Sequence, residues 1–125
     1  MRRPFFAFTL KLFMNDCLFC DIIAGRVLSD KLLETDDFVV INNKYPKAPV
    51  HLLVLPKKHL EKTQTIAGGE PDFWNRMMAA VWEAIKAAGL DKTGYKLVNN
   101  GAGYNHFSHE HMHIMGGDVS LAGGE

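Results

Sequence analysis

The residues His109-Glu110-His111-Met112-His113-Ile114-Met115 place three histidines at every second position. Side chains on a β-strand alternate faces, so the three imidazoles share one face while Glu110, Met112 and Ile114 share the other. Each buried imidazole needs a polar partner, and ordinary core packing does not explain three in succession. A single metal ion cannot collect all three. Each two-residue step advances roughly 6.5–7 Å, which sets His109 and His113 about 13 Å apart. Metal–imidazole bonds are only ~2 Å long. The alternative is a division of labour along the strand. A neutral ring can attack phosphorus while a neighbouring ring delivers a proton to the leaving group, since imidazole titrates near pH ~6.5.

Two further positions carry chemistry. Cys17 and Cys20 are the only cysteines and are spaced C-x-x-C. Two cysteines do not make a disulfide-rich secreted scaffold, so the pair reads as a redox couple or as half of a zinc site. Either use fits a reducing, cytoplasmic setting. His51 is the one polar residue in the apolar run Val50–Leu55.

The elements that must position these residues follow from pattern. The chain has 125 residues, 47% of them apolar and 22% charged, which allows one globular domain with a sizeable core and no second one. Formal net charge is zero, so neither a nucleic-acid-coating surface nor a polybasic membrane patch is expected. Residues 1–13 (MRRPFFAFTLKLF) are basic, then aromatic. This stretch is too short to span a bilayer, which takes about 20 apolar residues, and it lacks a cleavage site. It reads as a disordered extension or a mis-assigned start ahead of a domain over residues 14–117, with 118–125 a short tail.

Cys17–Ala24 suits a short helix stopped at Gly25. Lys31–Thr35 and Phe38–Asn42 read as a hairpin, Val50–Leu55 as a buried strand ending at Pro56, and Tyr95–Asn99 and His109–Met115 as two more strands. Phe73, Met77, Val81, Ile85 and Ala88 make an apolar stripe on a helix over Pro71–Ala88, widened by Trp74, Met78 and Trp82. The expectation is an α+β fold, an antiparallel sheet of about five strands with two helices on one face.

The H-x-H-x-H run followed by two apolar residues resembles the signature of the histidine-triad (HIT) nucleotide-binding proteins. Cys17-Leu-Phe-Cys-Asp-Ile-Ile-Ala-Gly, Ala48-Pro-Val-His-Leu-Leu-Val-Leu-Pro-Lys-Lys-His-Leu and Asn99-x-Gly are similar to that family's other blocks, in its order. The resemblance implies a single HIT-like domain that cleaves a P–N or P–O bond at the α-phosphate of a purine nucleoside monophosphate derivative. In that reading His111 is the nucleophile and forms a nucleotidyl-histidine. His113 binds phosphate and handles protons, His51 completes the cluster, and Asn99 contacts the phosphate or leaving group. Phe19 and Ile22 line the base pocket. The resemblance to the family's cysteine-containing branch makes Cys17, Cys20, His59 and His109 the ligands of a structural zinc, with no organic cofactor. It also implies a homodimer.

The chain departs from the family pattern in places. Asn43 stands where an aspartate usually grips the ribose hydroxyls, and an amide lacks the charge-assisted strength of a carboxylate. Lys44 follows it in place of an apolar residue. Asn105-His106-Phe107-Ser108 replaces the usual Gln followed by Ser or Thr, so His106 either substitutes for the hydroxyl donor or faces solvent. Glu110 replaces an apolar residue, which predicts a wetter back face. Alternatives to the phosphoramidase-like reading are a dinucleoside polyphosphate hydrolase, a nucleotide-binding or zinc-stabilised interaction protein with little turnover, and a metal-dependent hydrolase.

Overall fold

A computed structural model describes residues 17–117 of the chain. The extension and tail read from the sequence lie outside the described residues. Five strands form one antiparallel sheet: β1 (Lys31–Glu34), β2 (Phe38–Asn42), β3 (Val50–Pro56), β4 (Tyr95–Val98) and β5 (Met112–Gly116). Their spatial order is β1-β2-β3-β5-β4, so β5 joins the sheet between β3 and β4. The helices are α1 (Leu18–Ile23), α2 (Lys62–Thr65), α3 (Phe73–Ala87) and α4 (Leu90–Thr93).

The two principal helices lie on opposite faces of the sheet, where one shared face was expected. Phe38, Val40, Leu52, Val54, Met112 and Ile114 point to α3 and pack on its Phe73, Met77, Val81 and Ile85. Val39, Ile41, Leu53 and Leu55 point the other way and pack on Phe19 and Ile22 of α1. This is why β2 and β3 are apolar at nearly every position: a strand covered on both faces cannot alternate. The α3 stripe is as read, but Ala80 and Ala84 extend it, while Met78 and Trp82 are exposed. Among the described residues no helix is long and apolar enough to cross a membrane.

The histidine strand is shorter than expected. It starts at Met112, so His109, Glu110 and His111 precede the ladder, and a different bond holds them: Glu110 N–H donates to the Leu60 carbonyl at 2.7 Å. The predicted wet back face is also overturned. Glu110 is 1% exposed, and the adjoining side chains satisfy its carboxylate. Thr65 Oγ1 donates to Oε1 at 2.6 Å, while Lys62 Nζ (2.8 Å) and Asn99 Nδ2 (2.6 Å) donate to Oε2. A buried carboxylate keeps its charge when it is paired and hydrogen-bonded in this way.

Candidate active site

The β3–β5 register sets the histidine cluster. Leu53 lies opposite His113 and His51 opposite Met115, so His51 and His113 project from the same face as adjacent diagonal neighbours. His51 Nε2 and His113 Nδ1 are 2.9 Å apart, and the rings of His111 and His113 are centred 5.1 Å apart. Phe19 of α1 sets its ring edge-on to His111 at 5.1 Å, and Phe107 stacks against Phe19 at 4.7 Å. Burial pushes His51, His111 and His113 below the ordinary imidazole range. His113 reaches about 4, with the His111 and His51 rings adding to the effect of burial.

Hydrogen-bond partners assign the ring protons. A carbonyl only accepts, so His111 Nδ1–H donates to the His109 carbonyl at 2.8 Å, and the Nε2 lone pair stays available. The Lys47 N–H donates to His51 Nδ1 at 3.0 Å, which puts the His51 proton on Nε2. That proton donates to His113 Nδ1, leaving His113 with an N–H at Nε2. One ring offers a lone pair and its neighbour an N–H.

His109 belongs to a second cluster. Its Nε2–H donates to the Pro56 carbonyl at 2.8 Å, so Nδ1 faces the cysteines with a lone pair. Cys17 Sγ lies 3.3 Å and Cys20 Sγ 3.4 Å from that nitrogen, and His59 Nδ1 lies 3.2 Å from both Cys20 Sγ and His109 Nδ1. The four ligand atoms fall within 4.8 Å of one another. Tetrahedral donors with bonds of about 2.0–2.3 Å stand roughly 3.3–3.8 Å apart, so this set can hold a metal ion. Burial, followed by the neighbouring Cys17 thiol, pushes Cys20 up to about 11.

Sequence reasoning missed Glu61. His59 Nε2 donates to its carboxylate at 2.8 Å and Ser108 Oγ at 3.2 Å, and these two bonds hold Glu61 below the usual carboxylate range. A carboxylate behind a ligating imidazole is the usual outer partner in a metal site, and the Glu61 position two residues after His59 was the available signal. Lys62 and Thr65 were missed because their partner Glu110 is 48 and 45 residues away.

The remaining predicted positions divide. Ile22 is buried behind Phe19. Asn43 accepts from the Tyr45 N–H through Oδ1 at 2.9 Å, and its Nδ2 lies 3.3 Å from His51 Nε2, which brings it to the cluster. Lys44 is exposed and sits over the Tyr45 ring. His106 is exposed and lines a surface pocket with Cys17, His59, Glu61, Ser108 and His109, beside the cysteine–histidine cluster. Asn99 is placed at His111, but its amide is engaged. Nδ2 donates to Glu110 Oε2 and to the His111 carbonyl (3.0 Å), and Oδ1 accepts from Lys62 Nζ at 2.6 Å.

Comparison with known proteins gives a consistent result. The family described as "Scavenger mRNA decapping enzyme C-term binding" matches residues 16–124. A HIT-like protein of Chlamydia trachomatis is 42% identical over 107 residues, covering 82% of this chain and 93% of that protein. Protein HitA of Neisseria gonorrhoeae is 35% identical over 85% of this chain and the whole of its own. Among solved structures, a histidine triad protein from Clostridium difficile superposes with a TM-score of 0.76 at 36% identity, covering 84% of this chain and 93% of that one. A HIT family hydrolase from Legionella pneumophila gives 0.75 at 30%, covering 82% and 94%. With its triad, its sheet and these relatives in agreement, the chain belongs to the histidine-triad family.

Proposed function

We propose that this protein is a nucleotide-binding hydrolase that cleaves a P–N or P–O bond at the α-phosphate of a purine nucleoside monophosphate derivative. The observation that carries this reading is the proton assignment on the triad. His111 Nδ1–H is tied to a carbonyl, so its Nε2 lone pair is the nucleophile. His113, with an N–H at Nε2, donates to a phosphate oxygen. Attack by His111 forms an N–P bond, breaks the bond to the leaving group, and sends the electron pair out with that group, which takes up a proton from solvent that the attacking water returns in the second step. Water then displaces His111, giving the nucleoside monophosphate and the free ring.

Depressed imidazole titration supports the same reading, because it keeps His111 neutral at pH 7. Exposed Phe107, packed on buried Phe19 beside His111, offers the apolar surface on which a purine ring can stack, with Ile22 in the same buried cluster as Phe19. Asn43 stands by His51 as the ribose contact, and Asn99 acts through His111, since both of its amide hydrogens are used.

The ion read at Cys17, Cys20, His59 and His109 is zinc, given two thiolates and two imidazoles with no open position. When bound, it supplies a structural cross-link between α1 and the residues leading into β5. The functional unit is a homodimer, a reading supported by the outer edge of β4, which no other strand pairs with among the described residues and where Tyr95 and Leu97 are exposed.

Mass spectrometry tests the mechanism. The protein is mixed with an adenosine 5′-phosphoramidate and quenched within its first turnovers, beside His111→Ala. A nucleotidyl mass added to the native chain and absent from the variant is expected; equal product rates in both would sink the reading.

A further inference from the structure

His111 sits one residue ahead of β5, and side chains hold both of its backbone polar groups. Its N–H donates to Glu110 Oε2 at 3.2 Å, and its carbonyl accepts from Asn99 Nδ2 at 3.0 Å. The other Nδ2 hydrogen of Asn99 goes to the same Glu110 oxygen at 2.6 Å, which closes a ring of bonds around the His111 main chain. Lys62 Nζ lies 2.8 Å from that oxygen and 2.6 Å from Asn99 Oδ1, so one ammonium orients both partners. Thr65 Oγ1 takes the remaining oxygen of Glu110.

We propose that Glu110 is a positioning residue: its buried carboxylate, acting with Asn99 and Lys62, fixes the His111 main chain and with it the direction of the nucleophilic Nε2. The proposal rests on the reading of His111 given under Proposed function. The ring Nδ1–H is anchored to the carbonyl of His109, so a tilt of the chain between 109 and 111 moves the anchor and the ring together. A misplacement of about 1 Å at a reacting atom is enough to cost ~10²-fold in rate. Nothing in the β-ladder substitutes for this hold, because the β3 and β4 registers with β5 begin at Met112 and His113. Glu110 Oε2 accepts from the His111 N–H, from Asn99 Nδ2 and from the Lys62 ammonium, and Oε1 accepts from Thr65 Oγ1, so the grip is a charge-assisted one with both carboxylate oxygens engaged.

Three variants test the proposal, with kcat and KM measured per folded active site on adenosine 5′-phosphoramidate and hydrogen exchange read at the His111 amide. Glu110→Gln retains an oxygen that accepts from His111 and Asn99. It is expected to keep kcat within several-fold and to keep the amide protected. Glu110→Leu removes the acceptor and leaves Lys62 unpaired, so the double variant Lys62→Met/Glu110→Leu removes both charges and preserves folding. The double variant is expected to lose on the order of 10²-fold in kcat with KM within ~3-fold, and its His111 amide to exchange at least ~10-fold faster. Wild-type kcat in the folded double variant would overturn the proposal, since Glu110 would then only neutralise Lys62. Unchanged exchange at His111 would overturn it whatever the activity. Faster exchange in the double variant, with no nucleotidyl adduct on the wild type, would uphold the grip on His111 and remove the nucleophile reading alone.

Discussion

His51 on β3 and His113 on β5 meet across the sheet at 2.9 Å, and the Lys47 N–H behind His51 makes that contact directional. Because Lys47 donates to Nδ1, His51 presents a proton to His113 and thereby fixes which His113 nitrogen faces outward with an N–H. His51→Ala removes this orientation while leaving His111 in place. We expect kcat to fall by roughly 10²-fold, the low end of what a lost proton-handling group costs. A nucleotidyl adduct on His111 should still form. Quenched-flow measurement of both steps checks this, and a variant with wild-type kcat would show that the His51–His113 contact is idle.

Acid should destabilise the fold before the carboxylates titrate. The folded state holds His51, His111 and His113 below the usual imidazole pKa, with His113 at about 4. As pH falls below ~6.5, the unfolded chain binds protons that the folded chain does not. Stability from these rings is present above ~6.5 and is lost as pH drops toward the folded values. Urea unfolding at pH 7, 6 and 5 should give a steadily decreasing midpoint; a flat profile would contradict the neutral, buried triad.

Metal removal should act on stability and spare the chemistry. The four ligands join α1 (through Cys17 and Cys20) to the connection after β3 and to His109. Elemental analysis should find one zinc per chain, and a chelator should lower the thermal midpoint. Glu61→Ala strips the carboxylate from His59 Nε2 and should weaken metal affinity by ~10–100-fold without abolishing it. Competition with a chromogenic chelator measures this. An unchanged affinity would mean that Glu61 serves the loop at Ser108 only.

Asn43 offers an amide beside the His51 cluster where a carboxylate would accept more strongly from ribose hydroxyls. Asn43→Asp should therefore lower KM for a ribonucleoside phosphoramidate by about 5–10-fold, corresponding to roughly 1 kcal/mol of charge-assisted bonding. The 2′-deoxy analogue should gain less. Equal gains for both sugars would place Asn43 away from the ribose.

Much of this protein was legible in local pattern. The alternation of His109, His111 and His113, the apolar run around His51 and the stripe on α3 each depend on side-chain periodicity, which a single segment displays. The reach argument, that His109 and His113 cannot share one ion, needs only strand spacing; that His109 is the one to part company came from the family resemblance, and in the structure His109 lies by the cysteines while His113 meets His51 and packs against His111. Register and burial were beyond local pattern. The sheet alone brings α1 to one face and α3 to the other, because β2 and β3 are apolar on both sides and the sequence does not say which helix covers which. Glu110 shows the limit most plainly. Read locally, a glutamate among apolar residues marks a wet surface. Lys62 and Thr65 of α2 and Asn99 after β4, brought to it from two other places in the chain, make it a buried and fully bonded carboxylate, since the cost of burying a charge is decided by the partners that tertiary structure brings to it.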